Sequence, residues 1–142
     1  MKNKNVIIIV LAAILCMAQQ ACGQKIKKKT QQKQVTMETD KLTNTIVKAA
    51  FDAWQKGDSK TFLSFFTTDA ELYDDGNPRN FQAFVKEACG HERFTSIDKV
   101  ENKGLDIYGR FHTESWGDFK TYFKFRIDTG GKINRLDIGQ AN

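Results

Sequence analysis

The chain has 142 residues, 40% of them apolar, and a formal charge of +5. That charge is a poor guide to partners. Seven lysines (Lys2, Lys4, Lys25, Lys27, Lys28, Lys29 and Lys33) precede Glu38, while all 17 acidic residues lie at or after it, so the other 15 of the 22 basic residues leave the remainder of the chain at −2. A basic surface for nucleic acid is excluded on that distribution.

Residues 1–23 have the layout of a secretory signal peptide: Lys2 and Lys4, an apolar run over 6–16, then small and polar residues. The run is too short for a transmembrane span, which needs about 20 apolar residues. Two processing sites stay open. Ala21-Cys22-Gly23 fits ordinary cleavage before Gln24, and Ala21 before Cys22 fits a lipoprotein site that leaves Cys22 acylated, although Gln19 stands where an aliphatic residue is usual. The expectation is an exported protein, periplasmic, secreted or lipid-anchored to a bacterial membrane, touching membrane only through the signal or the anchor. Residues 24–38, with KIKKKTQQKQ, read as a basic disordered linker. Residues 39–142 form the folded domain. Cys89 is its only thiol, so the core depends on packing and not on an internal disulfide.

Within the domain, Leu42, Ile46, Val47, Ala50, Phe51 and Trp54 recur at helical spacing and predict a helix over 39–56. Gly57 supplies a stop and Asp58 a cap for a second helix over 59–66 that carries Phe62, Leu63, Phe65 and Phe66. Thr67-Thr68-Asp69 reads as a polar break, 70–73 as a short strand, and 74–78 as a turn. Asn80 caps a third helix with Phe81, Phe84, Val85 and Ala88 on one face, ending at Gly90.

After His91 the period changes to two. Strands are expected over 94–101, 105–115 and 119–128, with a last one around Leu136 and Ile138. Leu105, Ile107, Gly109, Phe111 and Thr113 share one face, as do Phe119, Thr121, Phe123, Phe125 and Ile127. Three N-terminal helices and a meander with one apolar face give an α+β domain, the antiparallel sheet curling around the helices.

Taken together, AFDAWQKGD, FFTTDAELYDDG, the helix opening at Asn80 and YFKFRIDTGGKINRLDIGQ resemble the nuclear transport factor 2-like superfamily, in its SnoaL-like and ketosteroid-isomerase-like branch. The resemblance covers about residues 40–142 and rests on the order and spacing of these segments. It implies a cone-shaped fold, the helices closing over a strongly curved sheet around an apolar pocket. The implied lining is Trp54, Phe62, Phe66, Phe111, Phe119, Phe123, Phe125, Leu136 and Ile138. The charged outer sheet face, with Lys120, Lys124, Arg126 and Arg135, is left for solvent or for a homodimer partner.

Asp74 matches the place of the proton-shuttling aspartate of ketosteroid isomerases, a role that requires a desolvated carboxyl. It also reads as an ordinary turn starter before Gly76. Asp75, its neighbour, faces the other way if the strand alternation holds. The hydrogen-bond donors that such isomerases use fall by spacing on Ala50 and Phe123, neither of which donates, and this argues against steroid isomerisation. His91 reads as a surface loop residue and His112 as an outward-facing one. Cys89, His91 and Glu92 bracket a helix end with no second cluster, so no metal is expected, and the absence of a phosphate loop leaves no cofactor to predict.

Two functions follow. One is an exported, non-catalytic domain holding a small hydrophobic molecule or a protein partner in an aromatic-lined pocket. The other is a SnoaL-like cyclase, isomerase or dehydratase with Asp74 as general base.

Overall fold

The computed structural model describes residues 38–142. The expected export signal, the candidate acylation site at Cys22 and all of the expected basic linker except Glu38 lie outside the described residues.

Thr39–Lys41 forms a single 3-10 turn, and the first helix, α1, runs Thr45–Gln55. The continuous helix expected over 39–56 is broken by Asn44, whose side chain accepts hydrogen bonds from the backbone N–H groups of Ile46 and Val47, both at 3.1 Å. A polar side chain that satisfies the free N–H groups of a first turn starts a helix there, whatever the apolar period upstream. Helix α2, Ser59–Ser64, is capped by Asp58, and α3, Phe81–Ala88, by Asn80, both as expected from their sequences.

The strands are β1 (Phe66–Asp74), β2 (Asn77–Arg79), β3 (Glu92–Glu101), β4 (Asp106–Thr113), β5 (Gly117–Ile127) and β6 (Ile133–Gln140). They form one sheet in the order β2-β1-β6-β5-β4-β3. The α+β architecture is as expected, with one correction. β1 pairs parallel with β6, Leu72 opposite Leu136 and Asp74 opposite Ile138, so the sheet is mixed and not purely antiparallel. Periodicity identifies strands and turn residues join neighbours, but neither reports a pairing between segments this far apart in the chain. The predicted polar break at 67–69 also belongs to β1. The register against β6 shifts between Phe66 and Glu71, so the stretch is an irregularity within the strand, where the β-branched threonines are at home.

The helices pack on the inner face of the sheet around Trp54, which is 1% exposed. Its indole stacks on Phe84 of α3 (centroids 5.5 Å apart, 14° between planes) and meets the edges of Phe62 at 5.1 Å and Phe123 at 5.5 Å. Such pairs add about 0.5–1.5 kcal/mol each beyond area burial. The Gln55 side chain adds a polar clamp, donating to the Phe94 carbonyl at 2.9 Å and accepting from the Phe94 N–H at 2.8 Å. It thereby pairs backbone groups of the edge strand β3 that would otherwise face solvent or another chain. The chain leaves α1 at Gly57 and α3 at Gly90, both at positive φ, and a Cβ on Gly57 would stand 2.9 Å from the Gly90 Cα. Only glycine fits that crossing.

The Trp54 indole N–H is buried and has no hydrogen-bond partner among the described residues. Its contribution is therefore packing alone. Trp54→Ala is expected to cost about 3–5 kcal/mol of stability, and Trp54→Phe, which keeps a ring and gives up no hydrogen bond, less than half of that. Urea denaturation of both variants measures the difference. Equal losses would show that the indole N–H is bonded.

Candidate functional site

The meander β4–β5–β6 presents Phe111, Thr113, Phe119, Thr121, Phe123 and Ile138 to its inner side, with Phe84 of α3 facing them across a cavity of about 550 Å³. Asp74 and Asp75 at the end of β1, Arg79 of β2, Glu92 of β3, Trp116 in the β4–β5 hairpin and Gly139-Gln140 border the same space. The floor is aromatic: Phe111 lies 5.6 Å from Phe123 and 6.0 Å from Phe119 between centroids. Trp116 is 82% exposed, in contrast to the buried Phe111 and Phe123. A groove of similar volume, about 560 Å³, lies along Asp106, Tyr122, Lys124, Arg126 and Asp137. It is walled mostly by charged and polar side chains, with two rings, Tyr122 and Phe125, against the five of the first cavity.

Of the nine residues named as pocket lining, Phe111, Phe119, Phe123 and Ile138 border this cavity. Trp54, Phe62, Phe66, Phe125 and Leu136 do not border it; they lie in the packed core behind it. The reason is the stacking around Trp54. Phe84 and Phe123 are interposed between the indole and the open space, and Phe62 and Phe66 pack on each other at 4.8 Å and on Phe81. An inward-facing position can therefore fill the cone without lining its cavity.

The acidic pair is divided. Asp74 accepts from Arg79 Nη1 at 2.8 Å, and its side chain is 35% exposed. Its side chain is thus ion-paired and partly exposed to solvent. Asp75 adopts φ 47° in the β1–β2 turn, and its Oδ1 accepts from the Gln140 N–H at 2.9 Å. The Tyr122 hydroxyl is pushed above its ordinary range, by burial first and by the Asp75 charge second. Arg79 also reaches Glu87 at 3.4 Å and lies over the Phe84 ring at 4.9 Å. Ala50 is fully buried and Phe123 is 2% exposed, so neither position brings a donor to the cavity.

Glu92, which the sequence marks only as part of an incomplete metal-ligand set with Cys89 and His91, borders the cavity. It opens β3 opposite Thr113, on the same side of the strand as Phe94, which pairs with Phe111. Burial raises its carboxyl above the usual glutamate range, Arg79 opposes the shift, and the Asp74 charge reinforces it. Glu92 shares the two-residue phase of Phe94, but the strand expected over 94–101 leaves it out, whereas β3 begins at Glu92. His91 lies in the turn before β3, exposed and 3.3 Å from Glu114, and His112 faces outward, bonded to Asp118 at 2.6 Å. Cys89 is buried, and burial pushes its thiol up, away from nucleophilic use. Among the described residues no cluster of His, Cys, Asp and Glu has the makings of a metal site.

The Glu92 carboxyl ties stability to pH. The folded domain holds its proton more tightly than the unfolded chain, whose value is near 4.5, so this contribution is full below that value and is lost as pH rises through the folded one. Glu92→Gln escapes the loss. Its stability relative to wild type is expected to be unchanged near pH 4 and to rise toward pH 7, as read by thermal unfolding at both. A difference that is constant with pH would contradict this.

No protein-family model and no curated protein matches the sequence. Solved structures do match in fold. A nuclear transport factor 2-like protein of unknown function from Cytophaga hutchinsonii superposes with a TM-score of 0.55 at 9% identity, covering 74% of this chain and 91% of that one. A candidate polyketide cyclase from Xanthomonas campestris gives 0.53 at 14%, covering 72% and 93%. The orange carotenoid protein of Anabaena, solved with canthaxanthin, gives 0.54 at 17%; the match covers 67% of this chain and 35% of the carotenoid protein. The fold of the described chain is that of the nuclear transport factor 2-like proteins.

Proposed function

We propose that the domain binds a small hydrophobic molecule in the cavity beneath the β4–β5 hairpin, without transforming it. The observation that carries this reading is the aromatic floor of Phe111, Phe119 and Phe123 under an opening bordered by a few charged groups. Small-molecule sites are concave and mostly apolar, with a few polar groups that fix orientation, and they span about 300–1,000 Å³. The neighbouring fold of the orange carotenoid protein, solved with the apolar canthaxanthin, supports the same reading.

Catalysis through Asp74 has less support. Its carboxylate is held by Arg79, and neither Ala50 nor Phe123 can donate to a developing enolate. The apolar run at 6–16 behind Lys2 and Lys4 supports an exported protein that meets its ligand outside the cytoplasm.

The full chain is expected to bind the neutral dye Nile red at a single saturable site, with a blue-shifted emission. Phe119→Asp places a charge on the half-exposed part of the floor and is expected to weaken that binding at least about ten-fold. Absence of saturable binding by the wild type would sink the reading.

A further inference from the structure

Three carboxyl groups and one guanidinium border the cavity: Asp74, Asp75, Glu92 and Arg79. The guanidinium is already engaged. It bonds Asp74 at 2.8 Å, reaches Glu87 at 3.4 Å and rests on the Phe84 ring. Asp75 is held by the Gln140 N–H. Glu92 differs from both aspartates. Among the described residues its side chain has no hydrogen bond and no ion pair, although it is half-buried on the inner side of β3. A carboxylate withdrawn from water without a partner is costly unless it takes a proton or meets a positive charge.

The cavity offers a second feature that suits a cation. Phe84, Trp116 and Phe119 share its wall with the carboxylates, and aromatic faces attract ammonium groups, most strongly where water is excluded. An anionic ligand would meet three carboxyl groups and one guanidinium, which is bonded to Asp74 and reaches Glu87.

We propose that the cavity selects apolar molecules carrying a cationic nitrogen, and that Glu92 is the residue that selects them. This rests on the reading of the cavity as an apolar-ligand site. The nitrogen sits at the charged border beside Glu92, while the apolar body lies on Phe111, Phe119 and Phe123. Arg79 keeps Asp74 occupied, so the ligand's charge is directed to Glu92.

The test uses the full chain and three probes with one apolar tail: decyltrimethylammonium, decanol and decanesulfonate. Their charges do not change between pH 5 and 8, so only the protein titrates. The expected order is ammonium, then alcohol, then sulfonate, with the ammonium bound about ten-fold tighter than the alcohol. In Glu92→Gln, shown to be folded by its thermal transition, that ratio is expected to fall to about two or less. Binding of all three with no preference for the ammonium, or a preference that survives Glu92→Gln, overturns the selection and leaves the apolar site standing. Binding of none overturns both.

Discussion

The stack of Trp54 between α3 and the sheet sets the shape of everything around it. One indole, 1% exposed, meets Phe84 face to face and Phe123 at its edge. Those two rings are also walls of the cavity. The same side chains that hold α3 over the sheet therefore decide where the interior stops being filled. The opening of about 550 Å³ therefore begins where the packing around Trp54 ends.

The charges follow from the strand ends. β1 finishes beside β6 and, with the turn into β2, carries Asp74, Asp75 and Arg79 to the border, and β3 begins at the same border with Glu92. Most of these groups neutralise one another or bond the backbone, which lets a cavity with an aromatic floor tolerate them. Glu92 is the exception, and its elevated titration is the electrostatic mark of that exception. A carboxyl raised by burial in a cleft is a candidate functional group.

Much of the fold was legible in the sequence. Asp58 and Asn80 cap the helices they were expected to cap, and the alternation of Phe111, Thr113, Phe123 and Phe125 on the inner side of β4 and β5 is the observed one. What escaped had physical causes. Asn44 restarted the first helix because a local side-chain hydrogen bond outweighs a continuing apolar period. The parallel β1–β6 pairing joins segments that no local pattern connects. The cavity was hardest to read. Inward direction is a property of one residue, but whether an inward ring borders space or another ring depends on its neighbours, as Phe62 and Phe123 show from equally buried positions.

The most direct test of the account is where a bound apolar molecule touches the protein. Intermolecular nuclear Overhauser effects from bound decanol are expected at the ring protons of Phe111, Phe119 and Phe123. Contacts confined to Tyr108 and Tyr122, the ring pair outside the cavity whose centroids lie 6.2 Å apart, would contradict it.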